Sequence, residues 1–261
     1  MAPERSGAVT GERPCRAVWL GHATVLVDLD GTKLVTDPVL RPRVAHLRRA
    51  WPVDSRELRG VDAVLVSHVH FDHLDLPSLE RLGRSLPVVV PRGAGGLLRK
   101  RRFEQVIEVE AGEQLSIGAV TVAATEAAHD ADRGPLGTKA PSLGYVVRGS
   151  RSVYFAGDTD LFPGMAEIGE GLDLALLPIA GWGPKVGPGH MDPSRAAEAL
   201  RLLRPQACVP IHWGTYHPLT WNAARRALTE LPPEELRRLA AELAPDVRVE
   251  VLGRNGALDL G

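Results

Sequence analysis

Residues 67–73 carry the side chains best suited to chemistry, because three histidines and one aspartate occur within this short segment. The segment follows an apolar run typical of a buried strand, so these residues should lie in the loop where a strand ends. His68 and His70 are two residues apart, and in an extended backbone both side chains point to one side, which suits two ligands of a single metal ion. Asp72 and His73 come after the chain turns and can face a second ion beside the first.

Three further candidate ligands, His129, Asp158 and His212, each come just after a predicted strand. Side chains that follow strands at one rim of a sheet sandwich can meet, so we expect these residues to join the histidine segment. His129 could complete a three-histidine site with His68 and His70. A second site would contain the remaining ligands, which are Asp72, His73, His212 and a bridging Asp158.

Imidazole and carboxylate ligands suit zinc, and they also suit manganese or iron, so ligand type alone does not select the metal. In dinuclear sites two such ions stand ~3.5–4 Å apart and lower the pKa of bound water towards ~7. The resulting hydroxide can attack a phosphorus or carbonyl centre at neutral pH. The ligand set therefore predicts a hydrolase with two divalent metal ions, of which zinc is the expected one.

The composition is that of an ordinary soluble protein of 261 residues, of which 44% are apolar and 24% charged. We expect a disordered tail over residues 1–14 and a single domain over residues 15–261. The net charge of −1 argues against a nucleic-acid partner. No apolar run approaches a membrane span and the N-terminus lacks a signal core, so we expect a cytoplasmic protein without a membrane partner. Cys15 and Cys208 are expected to be buried free thiols.

The order of the predicted elements indicates the fold class. A hairpin with an Asp-Gly turn ends at Asp37, and a second hairpin over residues 143–156 ends at Asp158, which indicates two similar halves. Each half continues with helices between strands. We therefore predict an α/β fold, an αββα four-layer sandwich, in place of a doubly wound parallel sheet. Residues 39–59 are expected to form a surface loop, and residues 247–251 the last strand.

The full ligand set of the metallo-β-lactamase fold superfamily is similar to the pattern His68-x-His70-x-Asp72-His73 followed by His129, Asp158 and His212. One branch, the N-acylphosphatidylethanolamine-hydrolysing phospholipase D-like and L-ascorbate-6-phosphate lactonase-like proteins, resembles the chain more closely over residues 19–24, 36–38, 154–159, 190–193 and 211–215. The resemblance implies an αββα sandwich, a dinuclear metal site and hydrolysis. It also implies that Asp37 supports the ligand loops and orients histidines instead of binding metal.

Two features separate this chain from some members of that superfamily. His73 and the bridging Asp158 follow the glyoxalase-type ligand pattern and not that of true β-lactamases, so antibiotic hydrolysis is not expected. The chain is short beside the lipid-cleaving members, and it has no apolar segment to seat on a bilayer. A small soluble substrate is therefore expected in place of a phospholipid.

Several polar residues outside the ligand set are candidates for contact with substrate. His190 follows a glycine-rich loop, and the family pattern places its counterpart near the substrate, so we predict that it binds substrate or protonates the leaving group. Asp72 is the second candidate for moving protons. His22 is compatible with a structural role and with a place facing the substrate. His217 is predicted at the surface, and Arg133 is predicted to be solvated, although it could meet an anionic substrate.

These observations predict a dinuclear metal-dependent hydrolase that uses a metal-bound hydroxide to cleave a small soluble phosphodiester or a lactone-type ester. The alternatives are an iron-dependent, oxygen-using enzyme on the same scaffold, a phospholipase D-like lipid hydrolase, and a metal-binding protein without turnover. The expected partner is a small-molecule substrate. The substrate itself, the metal identity and the oligomeric state remain open at this point.

Overall fold

The strands assemble into two seven-stranded sheets in the computed structural model of the chain, which describes residues 15–134, 137–181 and 186–261. The predicted tail at residues 1–14 lies outside the described residues. The strands of the first half are β1 (Arg16–Gly21), β2 (Thr24–Leu29), β3 (Thr32–Thr36), β4 (Arg43–Val44), β5 (Leu47–Arg49), β6 (Ala63–Leu65), β7 (Val88–Pro91) and β8 (Val106–Val109). Those of the second half are β9 (Gln114–Ile117), β10 (Val120–Glu126), β11 (Leu143–Arg148), β12 (Ser152–Phe155), β13 (Leu174–Pro178), β14 (Ala207–Ile211), β15 (Tyr216–Pro218), β16 (Arg248–Val249) and β17 (Gly256–Asp259).

Both sheets combine an antiparallel part with a parallel part. The first sheet has the order β17-β1-β2-β3-β6-β7-β8, with antiparallel pairs as far as β3 and parallel pairs beyond it. The second has the order β16-β14-β13-β12-β11-β10-β9, with antiparallel pairs from β9 to β12 and parallel pairs from β12 to β16. This repetition agrees with the two similar halves expected from the sequence.

Helices cover the outer face of each sheet. They are α1 (Leu76–Leu82), α2 (Gly95–Arg99), α3 (Met165–Ile168), α4 (Pro193–Leu203) and α6 (Pro232–Leu243), whereas α5 (Ala223–Ala227) has no buried residue. Leu79 and Leu98, from α1 and α2, pack with the first sheet, whereas Leu200 and Leu236, from α4 and α6, pack with the second. A further apolar cluster, which includes Trp19, joins strands of both sheets. The predicted αββα four-layer sandwich is therefore confirmed.

The inner strands are nearly continuous apolar runs because both of their faces are covered. Every residue of β2, β12 and β13 is buried. Burial of one large aliphatic side chain contributes about 1.5–3 kcal/mol, so these strands supply a large share of the folding free energy. That rigid core holds the loops at the ends of the strands in fixed positions.

Two helices close to these loops begin at aspartates. The carboxylate of Asp75 accepts a hydrogen bond from the Ser78 N–H at 3.2 Å, and that of Asp192 accepts one from the Arg195 N–H at 2.9 Å. A proline occupies one of the first positions of each helix, where its missing N–H has no partner to lose. These caps fix the end of the histidine segment and the residues that follow His190.

The structure corrects four predictions made from the sequence about strands and burial. Residues 39–59 are not only a loop, because β4 and β5 lie there and form a separate three-stranded sheet in which β5 pairs with both β4 and β15. The last strand is β17, which pairs with β1 and follows the two-residue β16. His217 lies on β15 with 6% of its surface exposed, so its predicted surface position is wrong. Cys208 is buried as predicted, whereas Cys15 is only half-buried.

Candidate metal centre

Four loops bring the candidate ligands together at one edge of the sandwich. The loop after β6 carries four of them, and the loops after β10, β12 and β14 carry one each. The seven residues fall into compact groups, and in each group the ligand atoms lie within 4.8 Å of one another. The structure thus collects every residue that the sequence predicts as a ligand, namely His68, His70, Asp72, His73, His129, Asp158 and His212.

One group consists of three imidazoles. His70 Nδ1 lies 3.1 Å from His68 Nε2 and 3.2 Å from His129 Nε2. With metal–nitrogen bonds of about 2.0–2.1 Å, two ligands of a tetrahedral ion stand about 3.3–3.4 Å apart. The observed spacing is therefore close to that of three ligands of one ion.

The hydrogen bonds of these imidazoles leave the facing nitrogens free to bind a cation. Ser67 Oγ donates to Asp37, so it accepts from His68 Nδ1 at 2.9 Å, and the Gly189 carbonyl accepts from His129 Nδ1 at 2.9 Å. In both rings the proton is on Nδ1 and the lone pair is on Nε2. Burial lowers the pKa of His68 well below its ordinary value and that of His129 to about 4. Both rings are thus neutral, which is the form that binds metal.

The second group contains His73 and His212, whose Nε2 atoms lie 3.2 Å apart. His212 Nδ1 donates to the Ala180 carbonyl at 2.6 Å, so its lone pair also points into the cluster. Asp72 belongs to this group, with Oδ2 4.0 Å from His73 Nε2. The donor set of two imidazoles and a carboxylate matches common zinc, manganese and iron ligation.

Asp158 lies between the two groups. Its Oδ2 is 3.1 Å from His73 Nε2 and 3.8 Å from His68 Nε2, and its Oδ1 is 3.3 Å from His212 Nε2. Although Oδ1 is buried, no hydrogen-bond donor reaches it within the described part of the chain. Burial would raise the pKa of Asp158, but the imidazoles of His212 and His73 hold it well below its usual range. A buried, ionised oxygen without a donor is what a bound cation would satisfy.

The carboxylates around His73 also favour a positive charge. Its Nδ1 lies 2.7 Å from Asp37 Oδ2, and its Nε2 faces Asp158. Burial alone would lower the pKa of His73, but the carboxylates of Asp158 and Asp37 outweigh burial and hold that pKa well above the ordinary value. The surrounding carboxylates therefore favour a cation at this position, and the residues present fit a metal site.

Asp37 and Ser67 hold two candidate ligands, His68 and His73, by hydrogen bonds from the buried side of the cluster. Asp37 is fully buried, and its Oδ1 accepts the Ser67 N–H at 2.7 Å while its Oδ2 accepts from His73. Asp37 therefore orients His73 directly and His68 through the Ser67 hydroxyl. The sequence reasoning missed Ser67, although a hydroxyl directly before a candidate ligand and after a strand was a usable signal.

Two glycines allow the loops to approach this closely. Gly157 has a φ of 62°, and an added Cβ would lie 2.6 Å from Ser67 Cβ. Gly189 has a φ of 73°, and an added Cβ would lie 3.1 Å from His129 Nδ1. A side chain at either position would push a ligand loop away, so both glycines are needed for the geometry of the cluster.

His190 lies at the open side of the cluster. Its Nε2 is 3.5 Å from Asp158 Oδ2, and 24% of its side chain is exposed. Its Nδ1 donates to the Pro188 carbonyl at 3.0 Å, which keeps the ring turned toward Asp158. Burial opposes protonation, but the hydrogen bond and charge of Asp158 raise the pKa of His190. Residues 182–185 of the loop before it lie outside the described residues.

His22 holds Asp72 from the protein interior. Its Nε2 donates to Asp72 Oδ2 at 3.1 Å, and only 2% of the residue is exposed. Burial and the charge of the neighbouring His212 lower the pKa of His22 to about 3, so the ring is neutral. Its carbonyl accepts the His212 N–H at 3.0 Å, which ties the two loops together. A direct contact between His22 and substrate stays a prediction.

Arg133 supports the histidine segment, and the prediction that it is solvated is wrong. Its half-buried Nη1 donates to the carbonyls of Val69 and Leu74, both at 2.9 Å. Its guanidinium also lies over the ring of Phe71, with the carbon 4.1 Å from the ring centroid. Arg133 thus joins the two ends of the segment that carries four candidate ligands.

Replacing Arg133 with methionine should weaken metal binding while leaving the global fold intact. The change keeps most of the bulk but removes both hydrogen bonds, so we expect metal affinity to fall about 10- to 100-fold. Titration against a chelator of known affinity measures this change. Arg102→Met is the matched control, because Arg102 is exposed and makes no ion pair within the described residues. Equal affinities of Arg133→Met and Arg102→Met would contradict the assigned role.

Comparison with known proteins places this geometry in a family. The profile described as Beta-lactamase superfamily domain matches residues 32–213. A UPF0173 metal-dependent hydrolase of Methanopyrus kandleri is 33% identical over 250 residues, which cover 91% of this chain and 96% of that protein. The N-acyl-phosphatidylethanolamine-hydrolyzing phospholipase D 1 of Caenorhabditis elegans is 35% identical over 228 residues. That match covers 77% of this chain but only 64% of the nematode protein, so the chain spans less than two thirds of its length.

Solved structures show the same fold. A metallo hydrolase from Ignicoccus hospitalis superposes with a TM-score of 0.72 and 25% identity, over 94% of this chain and 97% of that one. CmlA, a diiron β-hydroxylase from Streptomyces venezuelae, superposes with a TM-score of 0.73 and 22% identity, over 95% of this chain and 54% of that one. The family profile covers most of the chain, and the match to the Methanopyrus kandleri protein covers nearly the whole length of both proteins. This chain therefore belongs to the β-lactamase superfamily and is one of its metal-dependent hydrolases.

Proposed function

We propose that this hydrolase binds two divalent metal ions, with zinc preferred, and cleaves a small soluble phosphodiester or a lactone-type ester. The observation that carries the proposal is the position of Asp158, whose buried carboxylate reaches imidazoles of both ligand groups. His68, His70 and His129 would hold one ion, and Asp72, His73 and His212 the other. Two ions in such a site would supply a hydroxide at neutral pH and would stabilise the negative charge that develops on the oxygen bonded to the attacked phosphorus or carbonyl carbon.

The residues of the chain itself would orient the substrate and move protons. His190 is partly exposed beside Asp158, so its imidazole is placed to donate a proton to a leaving group. Asp72 accepts a hydrogen bond from His22 and is the second candidate for transferring a proton at this centre. Phe71 lies between two candidate ligands and is 54% exposed, which offers an apolar surface to the organic part of a substrate.

The names of the relatives support the proposed substrate class. The relatives include metal-dependent hydrolases and a phospholipase D, so a phosphodiester or ester bond is the expected target. Among the described residues no helix is both long and apolar enough to span a bilayer. We favour substrates in solution over lipids presented on a membrane, as expected from the sequence.

A panel of substrates tests this assignment. We expect turnover of bis-nitrophenyl phosphate or of small lactones, complete loss after chelation, and recovery on adding back zinc or manganese. Rates on a soluble phosphodiester should not rise when phospholipid vesicles are added. Hydrolysis that requires vesicles would reject the soluble-substrate proposal and favour the lipid-cleaving relative as the better guide.

An oxygen-using enzyme is the second candidate, because CmlA shares the fold and the ligand set also suits iron. Elemental analysis of the purified protein separates the two proposals. Two iron atoms per chain together with substrate-dependent oxygen consumption would favour the redox enzyme. Zinc or manganese without oxygen consumption supports the hydrolytic assignment.

A further inference from the structure

A pocket of about 370 Å³ lies beside β15 and is lined by an unusual number of cationic side chains. Tyr216 on β15 contacts the ring of His22 in the metal centre, with centroids 5.3 Å apart. Successive side chains of a strand point to opposite faces, so the next residue, His217, faces away from the metal centre and lines the pocket. The pocket is therefore separate from the metal site.

A row of three basic side chains crosses the three-stranded sheet, and two of them, Arg48 and His217, line the pocket. Arg43 and Arg48 are directly opposite each other on β4 and β5, and Arg48 is directly opposite His217 on β15. The like charges of Arg43 and Arg48 in this cross-strand position destabilise the sheet, whereas burial lowers the pKa of His217 and favours its neutral form. Within the described residues, no carboxylate lies within 4.0 Å of either guanidinium. A pair of cationic side chains that lowers the stability of the sheet and has no carboxylate partner among the described residues is suited to bind an anion from solution.

Two further arginines extend this charge around the pocket. Arg226 comes from α5 and Arg254 from the turn before β17, and neither forms an ion pair with a described carboxylate. Arg254 is held in place over the ring of Trp51, 5.2 Å from its centroid. The single acidic residue of the lining, Glu230, is farther than 4.0 Å from every guanidinium of the pocket.

A buried cation strengthens the field. Arg49 is 7% exposed, and although it lines part of the pocket, its side chain is on the face of β5 that it shares with Tyr216, opposite to that of Arg48. Its guanidinium donates to the Trp51 carbonyl at 2.9 Å and the Val39 carbonyl at 2.8 Å, and also to the Leu20 carbonyl. These neutral acceptors leave its charge uncompensated, and a charge removed from water is weakly screened. The whole chain has a net charge of −1, so this concentration of arginine is local and not a property of the composition.

We propose that this pocket binds the phosphate group of a small phosphate monoester. The arginines Arg48, Arg226 and Arg254 line the pocket without a carboxylate partner among the described residues, and each guanidinium can form paired, charge-assisted hydrogen bonds with phosphate oxygens, which favours a compact dianion. Trp221 and Pro218 provide an apolar wall for the organic part of the ligand. Its volume suits a ligand the size of glycerol 3-phosphate. Binding there requires no metal ion.

Calorimetric titration of the metal-free full chain tests the proposal, since chelation removes the competing metal centre. We expect glycerol 3-phosphate to bind, and Arg226→Gln and Arg254→Gln each to weaken binding by about tenfold or more. Both arginines are exposed, so the variants should keep the circular dichroism and melting temperature of the parent. Arg148→Gln is the control, because Arg148 is an exposed arginine on β11 that makes no ion pair with described residues.

A second arm identifies the source of the phosphate group. Flotation with phosphatidylcholine vesicles containing phosphatidic acid is compared with binding of glycerol 3-phosphate. Preference for the vesicles, lost in Arg226→Gln, assigns the pocket to a lipid headgroup, whereas preference for the soluble ester assigns it to a metabolite. Absence of binding to the metal-free chain in both arms overturns the proposal, as does binding that Arg226→Gln and Arg254→Gln leave unchanged.

Discussion

Replacing Asp158 with asparagine is expected to reduce metal content from about two ions per chain to one or fewer. The isosteric amide keeps the shape of the side chain but removes the negative charge that faces His68 of the first group and His73 and His212 of the second. Loss of a single electrostatic group at a transition state costs about 10²–10³-fold, and this carboxylate serves both groups, so we expect turnover to fall by at least about 10³-fold. Elemental analysis and steady-state kinetics on the same preparations measure the two effects.

Asp132→Asn is the matched control for this experiment. Asp132 is an exposed aspartate on the loop after His129, and it pairs with Lys139 at 2.7 Å outside the ligand groups. Its replacement should leave both metal content and rate unchanged. A stoichiometry of one ion in the parent protein that Asp158→Asn does not alter would reject the dinuclear proposal.

Replacing His190 with alanine is expected to abolish most turnover while the protein keeps its metal ions. His190 faces Asp158 from the open side, and under the proposed assignment the seven other residues supply the ligand set. If His190 donates a proton to the leaving group, its loss should lower the rate about 10²–10⁴-fold. The loss should be much smaller for a nitrophenolate ester, because that leaving group departs without a proton.

The comparison of leaving groups separates catalysis from structure. A folding defect in His190→Ala would lower the rates on all substrates by the same factor. Loss of metal would show that His190 is a ligand, and full activity on every substrate would show that the proton comes from Asp72 or from water. Metal content and circular dichroism of the variant should match those of the parent protein.

The residues of the metal centre could be predicted from the sequence because each of them occupies a local pattern. The spacing of His68, His70, Asp72 and His73 after an apolar run identifies ligands without any knowledge of the fold. Strand periodicity and the repeated hairpin that ends in an aspartate were enough to predict the sandwich, because alternating strands and helices have few ways to bury their apolar faces.

The protonation pattern of the site was decided only by the tertiary structure. The backbone carbonyls of Ala180 and Gly189 accept the Nδ1 protons of His212 and His129, and no sequence pattern marks a carbonyl for that role. The role of Arg133 was also decided only by the tertiary structure. Its neighbours in sequence indicate a solvated loop, but its guanidinium donates hydrogen bonds to the carbonyls of Val69 and Leu74.

The arginine pocket depends even more on contacts that are distant in sequence. Arg49 and Tyr216 meet although they are 167 residues apart, and β5 pairs with β15 across the same distance. Strands of two or three residues have too little periodicity to be recognised alone, and their pairing is favourable only after the larger sheets have fixed both segments in place. The sequence therefore determined which residues form the candidate metal centre, whereas the tertiary structure decided how their protons are held and where arginines without a carboxylate partner among the described residues come together.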